Sequence, residues 1–492
     1  MKNLKERVIR GGLAKAVSQG VTFTLRVGSI MILARLLAPK DFGLVGMVTA
    51  FTGVLNLFRD FGLSTATVQR GNVTEDQVSA LFWINILVGV ILGLLLMGLS
   101  PAVASFYHEP RLVLVSIVLG TSFIFNGAGV QHTAILERQM RFTSLAAIDV
   151  ISLVTSTAIG IGMAAAGFGY WSLVGSAVSL PLVTTLCLWI TTGWRPRKPA
   201  SGEGLHSLLR FGGAFTLINL IAYVSYNLEK VLLGRFWGAD ALGLYGRAYQ
   251  LINIPTENIN STFWGVAFSG LSRVRDDAQR FRSYFLRGYS LVLGMTIPIT
   301  IVAALFAPDL IFVLLGPKWK DVVDIFRLLA PTILIFALIN PLAWLTFSLG
   351  MIERNLKIVL VLAPIVISGY AMGLRYGPKG VAFAYSAVMT LWAVPHIAWC
   401  VHGTVVSLRD ILVTVSRPLG SGIAAGVLGF GVEYLCGPAM SHLLRLIIEC
   451  SVVMVAYVGM LFYVMGQKAV YWELIQAMLG RTSLEEKALA TA

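Results

Sequence analysis

The sequence predicts an all-α integral membrane protein of about 14 transmembrane helices: two pseudo-symmetric six-helix bundles followed by two further helices. Three observations predict it. Hydrophobic residues make up 57% of the chain and charged residues 13%, about half the charged share of an ordinary soluble domain. The apolar residues are gathered in many runs of the roughly 20 residues that a spanning helix needs, without the ten-residue alternation of a membrane barrel. Finally, ARLLAPKDFGLVG from Ala34 recurs as GRFWGADALGLYG from Gly234. Arg35, Gly43, Leu44 and Gly46 are repeated as Arg235, Gly243, Leu244 and Gly246, and Ala38 is answered by Gly238.

The runs fall at approximately 13–36, 41–64, 80–106, 111–135, 143–166 and 170–192, then 208–234, 241–268, 284–307, 323–349, 355–375 and 380–402, and last 418–436 and 443–466. They divide the chain into an N-terminal lobe at 1–195, a cytoplasmic linker at 196–207, a C-terminal lobe at 208–403, and two extra helices with a tail at 404–492. The basic start MKNLKERVIRGGLAK has no small-residue cleavage site after its first apolar run, and reads as a retained cytoplasmic tail. With that end inside, 24 of the 38 Lys and Arg residues fall on the inner side and nine on the outer. Such an asymmetry orients a membrane protein with both termini in the cytoplasm. The net charge of +14 is therefore a topology signal spread over short loops, and it excludes a nucleic-acid-binding patch. Cys187, Cys400, Cys436 and Cys450 lie in or beside apolar runs without metal-like spacing. No Walker motif is present and no loop is long enough for a catalytic domain, so the chain reads as neither an ATPase nor an enzyme; no cofactor or metal is expected.

Polar residues inside the runs carry the functional information, because lipid offers them no hydrogen bonds. Gln19, Thr22, Arg26 and Ser29 share one face of the first helix, and Thr49, Thr52, Asn56 and Arg59 one face of the second. The seventh helix aligns Asn219, Tyr223, Tyr226 and Lys230, with Asn227 and Glu229 alongside. The eighth carries Arg247, Gln250, Asn253, Glu257 and Asn260, interrupted by Pro255. These four helices flank the repeated turns, and the expected arrangement is two bundles facing each other across a polar cleft, the usual build of a secondary transporter. Arg26 lies near mid-span, where an unpaired charge costs roughly 2.5–3.5 kcal/mol on insertion scales. It needs either an anionic ligand or an ion pair with Asp60 or Glu257. Glu257 is the candidate ion-coupling residue, with a permanent Glu–Arg pair as its structural alternative. His396 stands alone and reads as structural.

The stretches ILARLLAPKDFGLVGMVTAF, RDFGLSTATVQR, ILERQMRF and LEKVLLGRFWGADALGLYGRAYQL resemble those of bacterial polysaccharide transporters. These are Wzx-type flippases of the multidrug/oligosaccharidyl-lipid/polysaccharide exporter superfamily, in the branch serving colanic acid and succinoglycan. The resemblance spans nearly the whole chain and is densest over 25–145 and 205–290. It implies a bacterial inner-membrane protein that flips an undecaprenyl-pyrophosphate-linked repeat unit by alternating access, for exopolysaccharide or lipopolysaccharide biosynthesis. It also implies membrane lipids, a polysaccharide polymerase and assembly proteins as partners. The positions that fit a cationic, substrate-binding cavity are Arg26, Arg59, Lys230 and Arg247. Gln19, Asn56, Asn219, Tyr223, Asn227, Asn253 and Asn260 are expected to line it. A pyrophosphate suits this cationic set, since guanidinium binds phosphate oxygens through bidentate, charge-assisted bonds. A multidrug or cation antiporter of the same superfamily would want a buried carboxylate in the N-terminal lobe, where Arg26 stands. A membrane enzyme joining glycans would want a large external loop.

Overall fold

A computed structural model describes residues 2–59, 67, 74–197, 205–435, 440–468 and 471; for residues 2–17, 205–219, 222, 266 and 435 it describes the backbone path only. Among the described residues the structure is helical and contains no strand. In order the helices are α1 (Lys2–Leu36), α2 (Pro39–Asn56), α3 (Glu75–Tyr107), α4 (Leu112–Arg138), α5 (Phe142–Ala165) and α6 (Trp171–Thr192). The 69-residue α7 (Leu205–Arg273) follows, then α8 (Ala278–Leu305), a short α9 (Ala307–Leu314), α10 (Val322–Leu329) and α11 (Pro331–Ser348). Last come α12 (Ile352–Gly373), α13 (Gly377–Val401), α14 (Leu408–Leu435) and α15 (His442–Gly459). Among the described residues, ten segments are long and apolar enough to cross a membrane: α3 to α6, α8, α10 with α11, and α12 to α15. The remaining expected spans correspond to α1, α2 and the two arms of α7, the helices with polar stripes.

Each boundary has a local cause. The Thr74 side chain accepts from the Gln77 amide at 3.3 Å while Gln77 accepts from the Thr74 amide at 3.2 Å, a reciprocal cap that starts α3. Asp277 starts α8 by accepting from the Arg280 amide at 3.0 Å. Pro331 occupies the first turn of α11 and splits the tenth run into two helices. Several expected ends move. The second run was expected to continue to 64, but α2 stops at Asn56. The ninth and thirteenth helices begin at Ala278 and Leu408, earlier than 284 and 418. Hydropathy reports only the lipid-facing part of a helix, whereas polar first turns, such as those of α8 with Arg282 and α14 with Asp410, which pair side chain to side chain, extend it beyond.

The described contacts divide the chain into two units, 1–246 with 314–318, and the remainder. Within the first unit α3 and α4 pack through glycines. A Cβ added at Gly93 would lie 2.8 Å from the Gly120 carbonyl oxygen, and one at Gly127 2.6 Å from that of Asn85. Small residues permit this backbone approach, which supplies van der Waals attraction that lipid cannot. Between α3 and α4, the Arg111 fork donates to both Glu109 oxygens at 2.7 and 2.8 Å and holds that carboxyl below its usual range. This half-exposed pair contributes above the ordinary glutamate value and is lost as pH falls through the lowered one.

The repeated turns account for each other. Ala38 precedes α2 in extended conformation (φ −91°, ψ 159°), and its counterpart Gly238 breaks α7 at φ 81°, ψ −174°. A positive φ there favours glycine. Gly43 sits against the backbone of Ala239, and Gly243 against that of Pro39, so closely that a Cβ on either would overlap the facing carbonyl. These are the same contact read twice, since 43 and 39 become 243 and 239 at the shared offset. The two copies are partners related by a local pseudo-twofold. Lys318 adds a donor to the Arg35 carbonyl at 3.2 Å, and Arg235 reaches the His108 ring from α7.

In the second unit, Phe281, Phe285 and Tyr289 of α8 pack with Trp344 and Leu345 of α11 in a core that α12 to α15 complete. Arg354 donates to the carbonyls of Trp399, Cys400 and His402 at 3.3, 3.2 and 2.6 Å and closes the end of α13. His396 accepts from the Trp392 indole at 3.1 Å. Cys400 is buried, Cys187 and Cys450 are half-buried free thiols, and Cys436 lies outside the described residues.

The reciprocal contact makes a paired prediction. Gly243→Ala forces the Pro39 carbonyl away and should destabilise by about 1–3 kcal/mol, as overpacking does. Gly246→Ala, where a Cβ meets nothing within 4 Å, should be neutral or slightly stabilising. Thermal unfolding of the two purified variants checks the difference; equal midpoints would remove the close approach as a constraint.

Candidate functional site

The first unit holds a cavity of about 530 Å³ between α2, α4 and α6. Thr49, Thr52, Asn56 and Arg59 face it, so the stripe expected on the second helix is one wall. Helical spacing puts these four on one side, and the opposite side of α2 carries the glycines that meet α7. The hydroxyl of Thr52 and the amide of Asn56 donate back to the carbonyls of Thr49 and Thr52, at 3.2 and 2.9 Å, which leaves side-chain oxygens as acceptors. Arg59 donates from Nη1 to Asn126 Oδ1 at 3.2 Å, and Asn126 donates to the Ser122 carbonyl at 2.9 Å. Its guanidinium is thereby aimed along the cavity while keeping further N–H groups to offer.

The wall contributed by α4 and α6 was not anticipated. Ser122, Asn126, Thr133 and Glu137 of α4 and Thr184 and Thr185 of α6 line the cavity. Thr185 donates to the Phe125 carbonyl at 2.7 Å and ties the two helices together. The signal was present: 122, 126, 133 and 137 follow a 4-7-4 spacing, one helical face within a mainly apolar run. Among the described residues the lining is thus hydroxyl- and amide-rich, with one guanidinium and one carboxylate. It can hydrogen-bond a polyhydroxylated ligand in several orientations and pair with one anionic group.

The α7 residues form a second polar set beside the same helix. The Tyr223 hydroxyl donates to the Ala50 carbonyl at 3.4 Å and lies over Gly53, where a Cβ would collide with it. Asn227 donates to the Tyr223 carbonyl at 2.9 Å, and Lys230 Nζ donates to Asn227 Oδ1 at 2.7 Å. Glu229 is fully buried. The side chain of Asn219 lies outside the described residues, as does Asp60. On α1, Gln19 and Arg26 are exposed, and among the described residues Arg26 has no hydrogen-bond or ion-pair partner.

The second unit holds the rest. Arg247 donates to the Gln250 side chain one turn on, and Asn253 is half-buried. Asn260 lines a narrow pocket of about 10 Å³ with Thr256, Thr296 and Asn340, room for about one water. Glu257 is exposed and has no hydrogen bond or ion pair among the described residues. Among the described residues no group of three or more His, Cys, Asp or Glu side chains could hold a metal ion.

These features define a multi-pass α-helical membrane protein of transporter architecture, with a polar, arginine-bearing cavity inside a helical bundle. The chain belongs to the polysaccharide biosynthesis protein family, whose model matches residues 32–324 and so takes in both copies of the repeated turn. The teichuronic acid biosynthesis protein TuaB of Bacillus subtilis (strain 168) is 30% identical over 346 residues, 69% of this chain and 71% of that protein. The lipopolysaccharide biosynthesis protein WzxC of Escherichia coli (strain K12) is 23% identical over 382 residues, 75% of this chain and 77% of that protein. Among solved structures, the lipid II flippase MurJ in an inward closed conformation superposes with a TM-score of 0.75 at 13% identity, covering 94% of this chain and 100% of that one. That likeness establishes the fold. The relatives agree with the resemblance read from the repeated motifs, and the chain is a Wzx-type member of the superfamily named there.

The cavity makes a direct prediction. Single cysteines replacing Thr52, Ser122 or Thr184 in a Cys-free background should react readily with a small water-soluble thiol reagent. Cysteines at the fully buried Ser116 and Ser152 should not. Equal labelling at both sets would mean that the cavity is not hydrated.

Proposed function

We propose that this protein is a flippase that moves an undecaprenyl-pyrophosphate-linked oligosaccharide from the inner to the outer leaflet of a bacterial cytoplasmic membrane, for polysaccharide biosynthesis. The observation that carries the reading is the cavity: hydroxyls, amides and the Arg59 guanidinium gathered inside a bundle that otherwise presents apolar helices to lipid. Its volume falls in the range of small-molecule sites. Its lining matches a glycan better than a lipophilic drug. The functions of the similar proteins, teichuronic acid biosynthesis, lipopolysaccharide biosynthesis and lipid II flipping, support the same substrate class.

In this reading the glycan contacts Asn56, Asn126 and the threonines, while Arg26, Arg59, Lys230 and Arg247 supply positive charge for the pyrophosphate. Gln19, Asn219, Tyr223, Asn227, Asn253 and Asn260 complete the polar path. The guanidinium of Arg26, without a partner among the described residues, supports a ligand role, because a charge in a span needs an anion to offset its cost. The termini lie in the cytoplasm, and lobes 1–195 and 208–403 alternate in exposing the path to each leaflet. The repeated turns, at the outer ends of their helices, form the closure that parts when substrate leaves. Glu257, exposed and without a partner among the described residues, exchanges a proton during that change.

Expression in a strain lacking its own polysaccharide flippase tests the reading. Restored surface polymer is expected, whereas drug resistance without polymer would replace it with cation export. Arg26→Ala should abolish export at a near-normal membrane level, and Arg26→Lys should retain part of it by keeping a point charge without the bidentate fork. A collapse of protein level in Arg26→Ala would make the residue structural.

A further inference from the structure

A carboxylate cluster where α9 meets the last two helices belongs to none of the machinery above. Asp309 stands in the first turn of α9, with its side chain only 4% exposed. Arg445 of α15 approaches it at 3.4 Å through Nε, and the same nitrogen donates to Glu449 Oε1 at 2.9 Å. Glu433 of α14 lies 4.0 Å from Arg445 Nη2. His442, half-exposed at the start of α15, places Nδ1 2.6 Å from Asp309 and stacks against Phe312 with ring centroids 3.9 Å apart. Three carboxylates thus share one guanidinium. Glu449 is completely buried, and its Oε2 has no hydrogen-bond partner.

A fully buried carboxylate oxygen without a donor is a costly place for negative charge. Two further carboxylates around the same cation raise that cost, and like-charged groups sharing a site hold a proton between them. We infer that Asp309, Glu433 and Glu449 around Arg445 form a proton-binding site, with the proton carried on Glu449 Oε2 and with His442 as its contact with solvent. Uptake takes one proton from water and forms one O–H bond, and the formal charge of the carboxylates and guanidinium goes from −2 to −1. Among the described residues, the charged groups acting on the Glu449 carboxyl are Arg445, Asp309 and Glu433, so Arg445 is its one cation. In the orientation proposed above the site opens to the outer face, so it samples the pH there. It stands independently of which substrate the cavity carries.

Infrared difference spectroscopy on the purified full chain in lipid nanodiscs, in sodium-free buffer, tests this. Raising the pH should remove a carbonyl band of a protonated carboxylic acid, and Glu449→Gln should abolish that change while Glu353→Gln in the first turn of α12 keeps it. Asp309→Asn removes a competing negative charge and should lower the midpoint of the change by roughly one pH unit. This second variant decides the matter if Glu449→Gln does not fold. A band that persists in Glu449→Gln, an unchanged midpoint in Asp309→Asn, or a band removed by sodium at constant pH would each overturn the proton site.

Discussion

The close approach of Gly43 to Ala239 and of Gly243 to Pro39 is the constraint on which the first unit depends. Two helix starts can meet backbone to backbone only where neither carries a side chain, and the repeat supplies glycine at both positions. Meeting there fixes the angle at which the first arm of α7 descends beside α2. That angle sets Tyr223 over Gly53, and it leaves Thr49, Thr52, Asn56 and Arg59 turned to the other side, toward α4 and α6. One sterically demanding contact thus decides which face of α2 is apolar packing and which is cavity wall.

Away from water, polar groups must satisfy one another, and the cavity exists because α2 and α4 do so incompletely. Back-bonding from Thr52 and Asn56 to their own helix occupies donors and leaves oxygens facing inward. The Arg59–Asn126–Ser122 chain fixes a guanidinium without neutralising it. A neutral partner orients a charge yet leaves it available, which is what recognition of an anion requires. The acidic cluster of α9, α14 and α15 follows the opposite logic, with more negative than positive charge gathered out of solvent. The surplus there is met by a proton.

Much of this was legible in the sequence, and what was not has physical reasons. Helix identity follows from long apolar runs, and the repeat announced itself through Arg35, Gly43 and Gly46 recurring at a fixed offset. The stripe on α2 was readable because its residues follow helical spacing. The facing wall of α4 went unread because Ser122, Asn126 and Thr133 are diluted among leucines and valines, although their spacing is equally regular. That the two turns pack on each other was not readable, since a repeat in sequence does not say whether its copies touch. Nor was the carboxylate site, whose Asp309 and Glu449 are far apart in the chain and meet only through α15.

The central claim is that the paired turns are the closure through which substrate must pass. Lys40 and Asp240 occupy equivalent, exposed positions beside the reciprocal contact. Spin labels there, in nanodiscs, report the separation of the two turns by pulsed electron resonance. The account predicts a single short distance without substrate and a second, longer population once lipid-linked oligosaccharide is added. One short distance, unchanged while the same protein transports that substrate in proteoliposomes, would contradict it.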